Sequence, residues 1–226
     1  EDVTVGYSLY DTGEIDTIDL AEANLRAIYE DENNQYHDYL TEKLPNKFSY
    51  QMKFNYAKKN EDGSDDTNWN TAIANEAFRQ SIYYGLDLTK TYERANMINP
   101  LSCENTAYTM KGLVYFSDGT EYVDRVEELI ELPESNGKTM RRLDKEKAEE
   151  LKKQAIEELS AKGVKFPVEM DYYIPAGSQL ALDSATVLQE NFAECLGDDY
   201  IKLNIGTYVS SLTQEVIDPS LQSVVM

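Results

Sequence analysis

Alternation of apolar and polar residues predicts the clearest elements in the last third of the chain. Residues 168–174 and 201–205 carry apolar side chains at every second position, which is typical of half-buried strands. Between them, residues 180–196 place apolar side chains at steps of three and four, which predicts an amphipathic helix. A helix between two strands of this kind predicts a parallel βαβ unit with a right-handed crossover.

The middle of the chain carries three further helical patterns. Asp144 can cap a strongly charged helix that ends at Gly163, because apolar side chains within it recur at steps of three and four. Residues 72–94 place apolar groups on one face and predict a second helix, and residues 121–131 predict a third. The pattern of residues 96–117 is irregular and predicts no regular element.

The first third of the chain is richer in residues that favour strands. Two short strands, at residues 3–10 and 14–20, are predicted on either side of a turn. A helical or turn-rich connector follows to Leu40, and the aromatic residues within 47–56 predict another strand. Residues 58–70 contain almost no apolar side chain and are expected to form an exposed loop.

These elements together predict an α/β fold (mixed α+β), in which helices flank a mixed sheet that contains the βαβ unit. The chain has 226 residues, of which 41% are hydrophobic, so it can bury a sizeable core. This length fits one large domain better than two small ones, and no internal repeat divides the sequence. We therefore expect residues 1–226 to form a single domain.

The charge balance excludes some partners. The chain has 21 Lys and Arg residues against 42 Asp and Glu residues, which gives a formal net charge of -21. Such a field repels nucleic-acid phosphates and anionic lipid headgroups, so neither a nucleic acid nor a membrane surface is expected as a partner. The acidic residues are spread along the chain, which favours a solvated surface, and no substrate class follows from them.

Both ends of the chain look cut. The sequence opens at Glu1 without a methionine or a signal-peptide pattern, and the strand-like run 221–226 stops without a polar tail. No run approaches the roughly 18–20 apolar residues that a membrane span needs. Cys103 and Cys195 form no CxxC pattern, so the sequence leaves their redox state and compartment open. We expect this chain to be a piece of a longer protein.

Candidate catalytic and metal-binding residues are few. The only histidine is His37, and because Asp38 is its immediate neighbour, the two side chains would not face each other on a helix. A partly exposed helix histidine is therefore favoured over a catalytic base. The acidic loop 60–66 suggests calcium, but an EF-hand register centred on Gly63 would place Lys58 at the first ligand position. A solvated loop is favoured over an irregular calcium site, and no metal or cofactor is predicted.

Tyrosine is the one compositional excess that bears on function. The chain has 17 tyrosines, with doublets at residues 83–84 and 172–173. An amphipathic ring with a polar tip suits the walls of wet clefts that hold peptides or sugars. For each tyrosine taken singly, ordinary packing is the favoured interpretation.

A motif in the middle of the chain resembles a known family. Residues 75–87 read Asn-Glu-Ala-Phe-Arg-Gln-Ser-Ile-Tyr-Tyr-Gly-Leu-Asp, which resembles the helix signature of the family 5 solute-binding proteins, which bind oligopeptides. Gly-Glu-Ile-Asp at residues 13–16, Leu-Gln at 188–189 and Leu-Gly at 196–197 agree with the same pattern. The resemblance covers the whole chain and is closest to the proteins of Gram-positive bacteria.

The resemblance implies a parent protein in which a peptide lies in a cleft between two lobes that close about a hinge. The chain resembles the large carboxyl-terminal lobe of the periplasmic-binding-protein-like type II architecture, with residues 1–20 as the strands that lead in near the hinge. The implied partners are an oligopeptide and the permease of an ABC importer. The parent is implied to be a monomeric lipoprotein, held at the extracellular face of the cell membrane by a lipid anchor.

Other functions stay open at this point. Within the same family, the ligand could be a non-peptide or signalling molecule, and the same fold could serve as a surface adhesin or sensor. An acid-pair hydrolase is the alternative from a different class, but among 42 acidic residues any pair can be proposed. We expect a binding protein with no catalytic residue.

The resemblance also implies where the ligand is bound. The turn after the first strand of the βαβ unit and the end of its second strand correspond to family segments that face the cleft. Gln179 and Tyr208 are the leading candidates for ligand contact, together with Ser178, Thr207 and Tyr173. Independently, ligands of open α/β sheets gather beyond the carboxyl ends of parallel strands, where this turn lies.

Overall fold

The computed structural model describes residues 3–41, 49–133 and 140–226. Its sheet has four strands: β1 (Lys53–Phe54), β2 (Val168–Pro175), β3 (Ile201–Tyr208) and β4 (Val224–Val225). They lie side by side in the order β1-β4-β2-β3. β2 is parallel to both β3 and β4, whereas β1 is antiparallel to β4. The sheet is therefore mixed, as the sequence predicts.

Eight α-helices accompany the sheet in the described residues. They are α1 (Val3–Asp11), α2 (Glu22–Tyr29), α3 (Thr67–Ala74), α4 (Glu76–Gly85), α5 (Thr89–Ala95), α6 (Tyr122–Leu129), α7 (Lys145–Ser160) and α8 (Gln179–Leu196). Shorter helical turns are formed by His37–Tyr39, Pro100–Cys103 and Thr213–Ile217.

The predicted βαβ unit is confirmed. β2 and β3 pair in parallel over their full lengths, from Val168 opposite Ile201 to Pro175 opposite Tyr208, and α8 connects them. α8 begins where Ser178 caps it, since the Ser178 hydroxyl accepts a hydrogen bond from the Ala181 N–H at 3.3 Å. The periodicity of the sequence was sufficient to predict these three elements, because each of them buries one face against the same core.

The core lies between one face of the sheet and helices α3, α4, α7 and α8. Its largest fully buried side chains include Trp69, Phe78, Leu159, Met170, Leu188, Phe192, Tyr200 and Leu203. The hydroxyl of Tyr200 lies 2.9 Å from that of Ser81, so the one polar tip of this ring is satisfied inside the core. The predictions for α6 and α7 are also confirmed, and Asp144 caps α7 through the Lys147 N–H at 2.9 Å.

The single helix predicted at residues 72–94 is wrong, because the segment forms α3, α4 and α5. Asn75 has an extended backbone, and its side chain accepts a hydrogen bond from the Phe78 N–H at 2.8 Å, which caps a new helix. The Asp87 carboxylate likewise accepts hydrogen bonds from the N–H and hydroxyl of Thr89. Side chains that bond to nearby backbone groups thus divide a periodic pattern into three helices.

The two strands predicted near the amino terminus are also wrong. Residues 3–11 form α1, and residues 14–20 form no strand, so the described residues 3–20 do not supply the strands expected near the hinge. No strand of the described chain lies beside this segment to pair with it. Preference for strand structure depends on such neighbours, so β-forming residues alone did not decide the outcome.

The strand predicted at residues 47–56 is short, since only Lys53–Phe54 pairs, and residues 47–48 lie outside the described residues. The exposed loop predicted at residues 58–70 is confirmed for its middle and wrong at both ends. Lys58 is only 5% exposed, and α3 begins at Thr67 with Trp69 1% exposed. Lys58 is buried because its ammonium group pairs with the carboxylates of Asp66 and Asp171.

Candidate functional site

The carboxyl ends of β2 and β3 lie side by side at one edge of the sheet. Pro175 is opposite Tyr208, and the Ala176 N–H donates to the Tyr208 carbonyl at 2.8 Å, which extends the pairing by one residue. Because β4 is parallel to β2 and β1 is antiparallel to β4, the end of β4 and the start of β1 meet there too. We call this edge the carboxyl edge.

Four of the five predicted ligand contacts lie at or next to the carboxyl edge. Thr207 and Gln179 are exposed, whereas Ser178 and Tyr208 are half-buried. The Ser178 hydroxyl is engaged as the cap of α8. The Gln179 amide donates one N–H to Asp183 at 2.7 Å on the same helix, which leaves its second N–H and its carbonyl oxygen for a ligand.

The fifth predicted contact, Tyr173, lies across the neighbouring strand. A Cβ atom at position 206 would stand 2.6 Å from Cε1 of Tyr173, so Gly206 is what lets the ring lie over β3. Burial raises the pKa of the Tyr173 phenol, and the negative charge of Asp171 raises it further. The ring therefore forms part of the surface of the sheet rather than projecting from its edge.

The backbone of β3 alternates between facing β2 and facing away from it. The Val168 N–H donates to the Tyr200 carbonyl at 2.9 Å, and the Ala176 N–H donates to Tyr208 at the other end. The backbone groups of residues 200 and 208 thus point toward β2. In a parallel pair, the N–H and C=O groups of successive residues point alternately toward the partner strand and away from it, so even-numbered residues of β3 face β2. It follows that Ile205 and Thr207 direct their N–H and C=O groups outward, since β3 is the edge strand.

The outer edge of β3 is closed at its beginning and open at its end. The Ile201 N–H donates to the Gly197 carbonyl at 3.2 Å, and the Gln189 amide donates to the Leu203 carbonyl at 2.6 Å. Within the described ranges, no hydrogen bond reaches the outward backbone groups of Ile205 or Thr207. Residues 205–207, which we call the open edge, can therefore pair with another extended backbone.

Glu215 fixes the turn that follows the open edge. Its carboxylate accepts hydrogen bonds from the N–H groups of Val209, Ser210 and Ser211 at 2.9, 2.7 and 2.9 Å, and from the Ser210 hydroxyl at 2.8 Å. These bonds lower the pKa of Glu215 to about 2, so it is ionised at neutral pH. Sequence reasoning missed this residue, for which the adjacent serines at 210–211 were the only local signal.

A buried lysine ties three parts of the chain together, away from the carboxyl edge. Lys58 lies 2.7 Å from Asp66, the cap of α3, and 2.5 Å from Asp171 on β2. Burial alone would lower the pKa of Lys58, but hydrogen bonds to the two carboxylates outweigh it, and the pKa is raised. Ser223, just before β4, exchanges two hydrogen bonds with Asp171, each 2.9 Å long. This arrangement holds the loop and β4 against β2.

Other candidate chemistry stays apart from this edge. His37 lies in a short helical turn with its Nδ1 atom 3.4 Å from Asp38, and its side chain is 30% exposed. In the acidic loop, Asp62 accepts hydrogen bonds from the N–H and hydroxyl of Ser64. Over the described residues, no group of three or more His, Cys, Asp or Glu side chains could hold a metal ion, and both cysteines are free thiols.

No described helix has the length and apolarity needed to cross a membrane.

Solved structures of other proteins share this architecture. No family model matches the sequence, and no curated protein matches it either. An oligopeptide ABC transporter substrate-binding domain from Bacillus anthracis str. Ames aligns over 98% of this chain and 36% of its own, with 16% identity and a TM-score of 0.55. The fold is that of a substrate-binding-protein lobe.

A second solved structure gives the same result for the lobe. Listeria monocytogenes OppA bound to peptide aligns over 91% of this chain and 34% of its own, with 17% identity and a TM-score of 0.54. The chain thus spans about a third of the length of both proteins. At these identities the likeness shows the fold, and it confirms the predicted architecture.

Three residues of the motif at 75–87 make contacts within the fold. Arg79 donates to the Ile73 carbonyl at 2.6 Å, which satisfies a backbone group near the end of α3. A Cβ atom at Gly85 would stand 2.8 Å from the Leu196 side chain and 3.0 Å from that of Ala148, so α4 needs glycine there to approach α7 and α8. Asp87 caps the following turn. None of these contacts lies at the carboxyl edge.

Proposed function

We propose that this lobe belongs to an extracytoplasmic family 5 solute-binding protein that captures oligopeptides for an ABC importer and performs no chemistry on them. The fold likeness over 98% of the chain to the substrate-binding domain of an oligopeptide ABC transporter carries this proposal. The Listeria monocytogenes protein of the same fold is described as bound to peptide, which supports the same ligand class.

The open edge suggests how the lobe holds its ligand. Ile205 and Thr207 offer N–H and C=O groups that an extended peptide can pair with, whatever its side chains. Each such hydrogen bond contributes about 1 kcal/mol. Recognition through the backbone would leave the lobe tolerant of peptide sequence.

Side chains around the open edge would complete the contact. In this proposal Ser178, Gln179, Thr207 and Tyr208 contact the peptide at the carboxyl edge, and Tyr173 lines the adjoining sheet surface. Glu215 does not touch the peptide in this arrangement. It positions the turn at residues 209–211, and so the direction in which the chain leaves the open edge.

The wider assignment is part of the same proposal. Residues 1–226 form one domain of a two-lobed, monomeric protein that closes around its ligand. The parent is held outside the cell membrane by a lipid anchor and delivers peptide to the permease of its importer. The assignment of this chain to one lobe of a longer protein is supported by its length, since it spans about a third of each of the two proteins that share its fold.

Backbone NMR resonances of the chain, titrated with a pool of random-sequence pentapeptides, test the proposal. Because one lobe supplies one wall of a cleft, we expect weak binding, with a Kd of about 1 mM or about 4 kcal/mol. The resonances of residues 173–179 and 205–208 should shift and saturate. A mixture of free amino acids of the same composition is the control and should leave them in place. Absence of shifts with the peptide pool, or equal shifts with both mixtures, would contradict the proposal.

A further inference from the structure

A cavity of about 360 Å³ lies in the amino-terminal part of the chain. It opens to solvent and is lined by side chains of α1 and α2, by residues 16–20 and 39–41, by Tyr36, and by Ala95, Asn96 and Ile98. Its volume falls in the range of about 300–1,000 Å³ that is typical of small-molecule sites. None of the residues around it belongs to the carboxyl edge, so it is separate from the proposed peptide site.

The described walls of this cavity are mainly aromatic and aliphatic, and the charged side chains among them are acidic. Its aromatic residues are Tyr7, Tyr10, Tyr36 and Tyr39, and its larger aliphatic residues are Ile18, Leu20, Leu25, Ile28, Leu40 and Ile98. Asp16 and Asp19 also line it, and among the lining residues within the described part of the chain none is a lysine, an arginine or a histidine. A ligand that is both apolar and positively charged would match such walls.

Three of the tyrosine rings form a corner. Tyr36 meets Tyr10 edge to face, with ring centroids 5.4 Å apart and planes at 67°, and it meets Tyr7 at 6.2 Å and 86°. The Tyr36 hydroxyl donates to Asp11 at 2.6 Å, which fixes the orientation of the central ring. That bond also raises the pKa of Tyr36 to about 12, so the phenol stays neutral at physiological pH. The corner is therefore preorganised before any ligand enters.

We propose that this cavity binds a small organic cation of the quaternary ammonium class. The faces of tyrosine rings attract a cation by about 0.5–2 kcal/mol each, and methyl groups on the ammonium would contact the aliphatic walls. Asp16 adds a carboxylate at the cavity, and the net charge of -21 favours approach of a cation over an anion. A bare metal ion would meet too few oxygen ligands among these side chains. This site does not depend on the proposed peptide function.

Choline and its neutral isostere 3,3-dimethyl-1-butanol provide the test, each titrated into the chain while tyrosine NMR resonances are recorded. Choline should bind saturably, and the isostere at least tenfold more weakly, because the two differ in the charge of the central atom. Tyr10→Leu should weaken choline binding at least tenfold. Asp16→Asn, at an exposed position, should weaken it severalfold without affecting folding.

Tyr108→Leu is the matched control, since Tyr108 is 87% exposed and does not line the cavity. It should bind choline as the unsubstituted chain does. Equal affinities for choline and the isostere, or no saturable choline binding, would overturn the proposal. Unchanged choline affinity in both the Asp16→Asn variant and the Tyr10→Leu variant, each shown to be folded, would also overturn it. None of these outcomes bears on peptide binding at the open edge.

Discussion

The βαβ unit (residues 168–208) and the amino-terminal segment (residues 3–41) are held in place by different means. The βαβ unit joins the main core, where Met170, Phe192 and Leu203 are at most 1% exposed. In the amino-terminal segment, Ile28 is the one buried residue among the described side chains, and the other contacts are tyrosine ring contacts and ion pairs near the surface. We infer that stability is concentrated in the βαβ unit, and that the amino-terminal segment can open locally.

Truncation of the core should show this difference most strongly. Phe192→Ala removes a fully buried ring from α8 and should lower the free energy of unfolding by about 3–5 kcal/mol. In native-state hydrogen exchange, amides throughout β2 and β3 should then exchange faster. Ile28→Ala should instead accelerate exchange mainly within residues 3–41, because the void left by the truncated side chain lies in the segment that opens locally.

Leu180→Ala is the control on the same helix as Phe192, since Leu180 is 72% exposed. It should change the free energy of unfolding by less than about 0.5 kcal/mol. If Ile28→Ala accelerated exchange in β2 and β3 as much as in its own segment, the two regions would unfold together. That result would contradict local opening of the amino-terminal segment.

The loop at residues 57–66 should behave as part of the βαβ unit, because Lys58 joins it to Asp171 on β2. Lys58→Met keeps the length of the side chain but leaves two carboxylates without their partner. We expect a loss of about 2–3 kcal/mol in urea unfolding, at the low end for a buried pair because both carboxylates keep some contact with solvent.

Lys59→Met is the matched control for that substitution. Lys59 lies 3.5 Å from Asp65 in an exposed pair, which typically contributes less than about 1 kcal/mol. Equal losses in the two variants would mean that the Lys58 pair does not anchor the loop to β2. The loop would then belong with the weakly held part of the chain.

The sequence was sufficient for the parts of the fold that depend on local pattern. The βαβ unit and α7 each repeat one period and bury one face, so alternation and capping residues identify them. α1 was misassigned, because its valine and tyrosine residues also suit a strand and only the missing neighbouring strand decides against one. The break at Asn75 depends on a side chain that caps α4 in the middle of a continuous pattern.

The candidate site was predictable in position but not in detail. Strand ends and the family resemblance placed Ser178, Gln179, Thr207 and Tyr208 near one edge of the sheet. The open edge was not predictable, because it depends on which residues face outward and on the Gln189 bond to Leu203. Lys58 was missed for a similar reason, since its partner Asp171 lies on a strand far along the sequence.

Peptide binding by Thr207→Pro, measured by NMR titration with the pentapeptide pool, tests the central claim most directly. Proline removes the outward N–H of an edge strand and leaves the ladder to β2 intact, because residues 206 and 208 make that ladder. Thr207→Ala is the control that keeps the N–H. Both variants lose the threonine side chain, so loss of one further hydrogen bond of about 1 kcal/mol should make Thr207→Pro bind about fivefold more weakly than Thr207→Ala. Equal peptide affinity in the two folded variants would contradict recognition at the open edge.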